Sequence, residues 1–504
     1  MSEFGPTIRD AYATSGAAIE LGLGVHEGTV VPEAEVRIPL AMMNRHGLIA
    51  GATGTGKTRT LQGIAEQLSD AGVPVFVADV KGDLSGLAVP GATGGAGPKR
   101  AEDLGIPFEP TGFPVEYLSL GGVGPGVPVR ATVSDFGPQL LAKVLDANEI
   151  QEQSLGLVFH YADAKGLPLL DLADLRSLLT FLDSDAGKAE LEGIGGLATQ
   201  TVGVLLRQLV GLEDAGGNEF FGEPQLDFAE LMRAAPDGRG IISCLELPAV
   251  QDKPRLWSTA LMWLLAELFE HLPEVGDVKR PKLVFFFDEA HLLFSGATKA
   301  FLESVVLTVR LIRSKGVGVF FCTQSPKDIH EDVLAQLGNR IQHALRAHTP
   351  QDAKALRATV STYPESEFYD LKELLTELGI GEAAVTILSD EGVPTPVVHT
   401  RLRPPRARMS AADDVAGAAS RSPLQQRYGT RIDTQSAREL LAARLGSGPD
   451  RDGATPSPTP ETKGAADAVG AGAEAIKDFL GSSTGRTIGR EVVRGIFDLL
   501  KKRR

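Results

Sequence analysis

The run Gly51-Ala52-Thr53-Gly54-Thr55-Gly56-Lys57-Thr58 fits the pattern G-x-x-x-x-G-K-[ST] in full. Glycines at this spacing let a loop wrap so that its backbone N–H groups point inward at phosphates, beside the positive end of a helix. Lys57 then supplies a point charge for the β- and γ-phosphates of ATP, and the Thr58 hydroxyl is a ligand for Mg²⁺. Arg59 follows directly and closes the candidate nucleotide-contacting set. A second glycine-rich stretch, 91–99, lacks the spacing, a preceding apolar strand and a following helix, and reads as a surface loop.

The chemistry of hydrolysis needs a metal-binding carboxylate and a group that handles water. Leu283-Val284-Phe285-Phe286-Phe287 is an apolar run of strand length that ends in Asp288-Glu289-Ala290-His291. Asp288 emerges where it can hold Mg²⁺, directly or through water, and Glu289 beside it is placed to orient or deprotonate the attacking water. His291 fits a turn residue as well as a functional one. Residues 317–322 form another apolar run, followed by Thr323-Gln324. If that strand lies next to the one ending at Asp288, Gln324 sits near the γ-phosphate and can sense it. Asp79-Val80-Lys81-Gly82-Asp83 ends a further strand on the same expected edge, where ligands bind in open α/β sheets. Arg310, Arg313, Arg340 and Arg346 are candidates to reach the γ-phosphate of a neighbouring subunit. Arg340 ranks first, because it follows Gly338-Asn339 at the start of a possible strand near the expected subunit edge.

These residues need elements that present them together. Strands are predicted at 47–50, 75–79, 240–245, 283–287 and 317–322, each mostly apolar, as in a parallel sheet buried on both faces. A helix is predicted over 57–71, with Leu61, Ile64, Ala65 and Leu68 on one face and Gly72 as its stop. The expected organisation is a short N-terminal β segment at 1–40 and an α/β core at 41–400, carrying a helical insertion at about 90–240. An extension and flexible linker follow at 401–470, marked by Arg403-Pro404-Pro405-Arg406 and the Pro/Ser/Thr/Gly-rich stretch 449–463. Residues 471–504 read as a basic amphipathic helix, with Ile488, Val492, Ile496 and Leu499 at helical spacing beside Arg486, Arg490 and Arg494. That helix suits docking on the core, or a contact with DNA or anionic membrane.

Bulk composition narrows the class. A chain of 504 residues, 43% hydrophobic and 23% charged, can bury a substantial core. Its longest apolar run, 260–266, is closed by Glu267 and falls far short of the roughly 18 to 20 residues a membrane span requires. Residues 1–12 show no basic patch followed by an apolar stretch, so a secretory signal is not expected. Cys244 and Cys322, both within apolar runs, offer neither a disulfide framework nor a cysteine zinc site. The expected compartment is the cytoplasm. The net charge of −15 argues against a surface coated in nucleic acid but leaves room for a ring that grips DNA through a local basic lining.

With these residues in view, the chain resembles the HerA–FtsK group of RecA-like P-loop ring ATPases, and within it a bacterial HerA-like subfamily of poorly defined role. The stretches that carry the likeness are 51–58, 79–86, 130–137, 220–224, 287–291 and 322–326. The resemblance implies a RecA-like core, homo-hexamerisation, ATP sites at subunit interfaces and a motor acting on double-stranded DNA as a translocase or helicase. An alternative is an ATPase acting on an unidentified protein partner or a membrane-associated assembly; another is a nucleotide-dependent scaffold, against which Glu289 beside Asp288 counts. Asp-Glu-Ala-His also occurs in superfamily 2 helicases, but their Ser-Ala-Thr motif and tandem second core are not found here. HerA proteins start with a substantial β-barrel, whereas about 40 residues precede the first core strand here, which weakens the expectation of a docked partner nuclease.

Overall fold

The apolar runs become the central strands of a single 12-stranded sheet in the computed structural model, ordered β2-β1-β12-β11-β10-β3-β9-β8-β4-β7-β5-β6. The structure describes residues 3–446 apart from 277, 295–298 and 348. The strands are β1 Ala18–His26, β2 Thr29–Pro39, β3 Gly47–Ala50, β4 Val75–Asp79, β5 Val115–Leu120 and β6 Val127–Val129. The rest are β7 Ile242–Glu246, β8 Leu283–Phe287, β9 Val317–Thr323, β10 Asn339–Gln342, β11 Glu382–Thr386 and β12 Val398–Leu402. From β10 to β6 every neighbouring pair is parallel; from β10 outward through β11, β12, β1 and β2 every pair is antiparallel.

Alternation along the central strands explains their burial. In β8, Val284 and Phe286 enter one apolar layer while Leu283, Phe285 and Phe287 enter the other, and all five residues are buried. The first layer receives helix Lys57–Asp70 through Leu61, Ile64, Ala65 and Leu68. Helix Pro254–His271 packs on the opposite face. Two apolar faces leave no solvent side for these strands, which is why they carry hydrophobic residues without interruption.

Two regions differ from the sequence expectation. The N-terminal β segment joins the core sheet, with Gly22 paired to Leu402 and Leu23 to Arg401. Within the expected helical insertion, β5 and β6 extend the parallel sheet beyond β7. Their signal is weak because Glu116 and Ser119 interrupt β5, and Gly121 and Gly122 follow it at once. Helices occupy the rest, from Val133–Val144 to Thr199–Asp214, several closed by side-chain caps such as Asn148 and Asp171.

The chain beyond β12 crosses back over helix Lys57–Asp70. The N–H groups of Arg406 and Ala407 donate to the Glu66 carboxylate at 2.8 and 2.9 Å, and Gln62 donates to the Arg408 carbonyl at 3.0 Å. An irregular strand end is thereby supplied with partners its own backbone cannot provide. Helices Val415–Ser420, Pro423–Tyr428 and Ala437–Gly446 follow. The linker at 449–463 and the basic helix at 471–504 lie outside the described residues.

Candidate active site

The glycine-rich loop leaves β3 at Ala50 and enters helix Lys57–Asp70, so the first turn of that helix faces the loop's hollow. Gly56, at the helix N-terminus, has φ +115°, and a Cβ there would also meet the Gly381 backbone at 3.2 Å. Gly51 has φ +152°, with His343 at 2.5 Å from an added Cβ. Gly51 N–H is committed to the Thr323 carbonyl and Ala52 N–H to the Ala344 carbonyl, at 3.2 and 2.8 Å. The N–H groups of Gly54, Gly56, Lys57 and Thr58 donate to no carbonyl among the described contacts, leaving a cluster of donors at a helix N-terminus. Lys57 is buried and its Nζ donates to the Ala52 carbonyl at 3.2 Å, across the same hollow. Burial holds its ammonium below the ordinary lysine value, partly offset by Glu289 and Asp288, so a phosphate would find a charge already desolvated. Arg59 is half-buried and bonds Gln62 at 3.1 Å.

Strand order decides what faces this loop. β9 lies between β3 and β8, and β4 lies beyond β8, so the carboxyl ends of all four strands open on one edge. The residues after β8 bridge its two neighbours: Asp288 N–H donates to Ala78 on β4 at 3.3 Å, and Ala290 N–H to Cys322 on β9 at 2.8 Å. Glu289 makes the crossing between them with φ +47°, a left-handed conformation uncommon for a non-glycine residue. Both carboxylates are buried, Asp288 at 2% and Glu289 at 5% exposure.

Lysine 81 completes the cluster. The Asp79 carboxylate accepts the N–H groups of Lys81, Gly82 and Leu84 at 3.1, 2.7 and 2.8 Å, fixing the turn after β4. That turn carries the Lys81 ammonium onto the Glu289 carboxylate as a hydrogen-bonded ion pair. Burial alone would push Glu289 up, but Lys81, His291 and Lys57 outweigh it and hold the carboxyl below its usual value. His291 Nδ1 stands 3.2 Å from the other Glu289 oxygen, at ion-pair distance but without hydrogen-bond geometry. The sequence placed 79–83 on this edge without assigning Lys81 a task; only the pairing of β4 with β8 brings it to Glu289.

Asp288 behaves differently. Burial, then the neighbouring Glu289 charge, raises its carboxyl to about 7, and its Oδ2 is buried without a partner. Carboxylate oxygens of Asp79, Asp83 and Asp288 lie within 4.8 Å of one another. Oxygen donors of this kind suit a hard cation, and a divalent ion would satisfy the orphaned oxygen and return Asp288 to its charged form. These carboxylates therefore fit a hard divalent cation such as Mg²⁺, with the orphaned Asp288 oxygen as one donor.

Gln324 stands one residue past β9, exposed, on the strand between β3 and β8. Arg340 is placed otherwise than expected. Its strand lies inside the sheet between β3 and β11, and Arg340 pairs with Leu48, back from the carboxyl edge. Its guanidinium donates to the Thr362 carbonyl at 2.8 Å and lies 5.7 Å from the Tyr363 ring centroid. The Gly-Asn before it marked a strand start but not which strands flank it. Arg310, Arg313 and Arg346 are exposed. Cys244 and Cys322 are buried free thiols. Among the described residues, no helix is long and apolar enough to cross a membrane.

A model of the helicase HerA-like C-terminal family matches residues 26–504. The chain belongs to that family. The DNA double-strand break repair helicase HerA of Sulfolobus acidocaldarius is 23% identical to this HerA-like chain over 357 residues, which is 70% of the chain and 64% of that helicase. The HerA-like chain thus spans 64% of the length of this curated relative. Unbound bacterial conjugative coupling protein TrwBΔN70 matches with a TM-score of 0.52 at 15% identity, covering 81% of this chain and 95% of that one. TrwB in complex with ADP and Mg²⁺ matches with a TM-score of 0.51 at 15% identity, covering 81% and 94%. These likenesses place the HerA-like sheet among RecA-like P-loop cores, so fold and family agree.

Proposed function

We propose that this chain hydrolyses Mg²⁺·ATP at the loop 51–58 and, as a homo-hexameric ring, uses the cycle to move along double-stranded DNA. The observation that carries the reading is the buried Asp288–Glu289 pair, held one strand away from a phosphate loop with unpaired N–H donors. Bound Mg²⁺ would supply charge neutralisation for the β- and γ-phosphates. Lys57 leaves the Ala52 carbonyl for the phosphates, and the N–H groups of Gly54, Gly56, Lys57 and Thr58 hold them. Glu289, kept ionised by Lys81, orients water and accepts its proton. Gln324, exposed at the end of β9, reads the γ-phosphate. An arginine from the neighbouring subunit completes the site. The exposed Arg310, Arg313 and Arg346 are better placed for that than Arg340, which is engaged in its own subunit.

DNA as substrate is supported by the family and by the HerA relative, named as a DNA repair helicase. The test is steady-state ATP hydrolysis by wild type and Lys57→Ala, with and without duplex DNA, with oligomer state followed in parallel. Severalfold stimulation of a hexamer, absent in Lys57→Ala, is expected. A confirmed hexamer that neither binds duplex nor responds to it would exclude the DNA motor and leave a protein substrate as the reading.

A further inference from the structure

The phosphate loop stands on a histidine that none of the hydrolytic chemistry uses. His343 follows β10 directly, is buried at 0% exposure, and donates its N–H to the Ala50 carbonyl of β3 at 2.7 Å. It lies under Gly51, where the loop begins: a Cβ added at Gly51 would be 2.5 Å from the His343 Cβ and 3.1 Å from its backbone. Its ring reaches the loop's other end. Nε2 is hydrogen-bonded to the Thr60 hydroxyl at 2.9 Å, and Cε1 would be 3.5 Å from a Cβ added at Gly56. Thr60 in turn donates to the Gly56 carbonyl through its N–H at 3.0 Å and its hydroxyl at 3.3 Å. We propose that His343 is a positioning residue, an imidazole brace that fixes the phosphate loop against β10 and thereby sets the distance from the γ-phosphate to Glu289. The proposal rests on the reading of 51–58 as a triphosphate site.

Three observations support it. The first is which glycines meet the histidine. Gly51 and Gly56 both lie against it, whereas a Cβ added at Gly54, between them, would meet nothing within 4 Å. The outer turn of the loop is open, and its two ends rest on one side chain.

Sheet order gives that contact its leverage. β10 and β9 flank β3, and Glu289 follows β8, on the far side of β9. On the β9 side the loop is tied by Gly51 N–H to the Thr323 carbonyl at 3.2 Å. On the β10 side it is tied by Ala52 N–H to the Ala344 carbonyl at 2.8 Å and by the His343 ring. A loop held from both flanks is fixed in its approach to β8. Misplacing reacting groups by about 1 Å costs up to about 10²-fold in rate.

The third observation is charge. Burial, and after it the Lys57 ammonium, pushes the His343 imidazole down to about 3. An uncharged ring packs beneath the loop without repelling Lys57 or drawing the phosphates away from it.

Three variants of the full chain separate the bond from the packing. His343→Leu fills the space but cannot bond Thr60, His343→Gln keeps a side-chain amide that can, and Thr60→Val removes the hydroxyl. Steady-state hydrolysis gives kcat, and equilibrium binding of the Mg²⁺ complex of a non-hydrolysable ATP analogue gives affinity. His343→Leu and Thr60→Val should each lower kcat about tenfold while affinity stays within about threefold of wild type. The double variant should lose no more than either single one, and His343→Gln should recover most of the rate. The loss should be the same from pH 6 to pH 9, since the ring carries no charge there. Thr60→Val carries the test if His343→Leu does not fold. An unchanged kcat in Thr60→Val, or additive losses in the double variant, overturns the brace. So does a parallel loss of kcat, affinity and Tm that His343→Gln does not restore, which would make His343 core packing. Failure of wild type to bind the analogue in a Lys57-dependent way would instead overturn the triphosphate reading.

Discussion

At the scale of single residues, the site depends on a few buried charges held in opposition. Lys57→Ala removes the desolvated ammonium that faces the loop, and fluorescence titration should show loss of most ATP affinity and all turnover. Glu289→Gln keeps the side chain's shape but not its basicity, so it should bind ATP normally and lose roughly 10² or more in kcat. Lys81 provides a sharper probe. It holds the Glu289 carboxyl down against burial, so Lys81→Met should let that carboxyl rise and leave less of the base ionised near neutrality. The expected result is a kcat about tenfold lower at pH 6, recovering as pH rises, with KM little changed. A parallel loss at every pH would mean that Lys81 contacts the phosphates rather than tuning Glu289.

At the scale of elements, helix Lys57–Asp70 is pinned by the strap that follows β12, through Glu66. That carboxylate is 2% exposed, and burial raises it to about 7 despite the two N–H bonds it accepts and the charge of Arg406. An acid whose folded pKa lies above its unfolded value contributes stability that is complete below the unfolded pKa, here 4.5, and is lost as pH climbs through about 7. Glu66→Gln cannot titrate. The difference in Tm between wild type and Glu66→Gln should therefore favour wild type most near pH 5 and shrink by pH 8, by the equivalent of about 1–3 kcal/mol. Thermal melts across that range check it, and the other raised carboxyls cancel because both proteins carry them.

At the scale of the whole molecule, a net charge of −15 must be reconciled with a polyanionic substrate. Any grip on DNA has to come from a few basic residues facing a channel, and phosphate contacts of that kind release counterions. Binding should therefore weaken by roughly 0.9 log unit per phosphate contacted for each log unit of salt, with little regard to base sequence. Turnover measured against duplex length and salt should show stimulation at low salt that fades as salt is added. Stimulation that persists unchanged in high salt would place the contact on something other than phosphates.

The glycine-rich loop between β3 and its helix and the Asp288–Glu289 ending of β8 were legible in the linear chain because each depends on neighbours in sequence: glycines within one loop, a carboxylate pair after one apolar strand. The strands buried on both faces were legible for the same reason, since each is a local apolar run. Weak strands were not. Glu116 and Ser119 broke the pattern of β5, and nothing local showed that residues 22–24 of β1 pair with 400–402 of β12. The position of Arg340 differs for a related reason: a strand start can be read locally, but whether the strand lies at an edge depends on what pairs on either side. Lys81 on Glu289, and the His343 ring on Thr60, join residues that are remote in sequence, 208 apart for the ion pair. Such contacts depend on strand order, which the amphipathic pattern of each element leaves open and only the packing of the complete sheet settles.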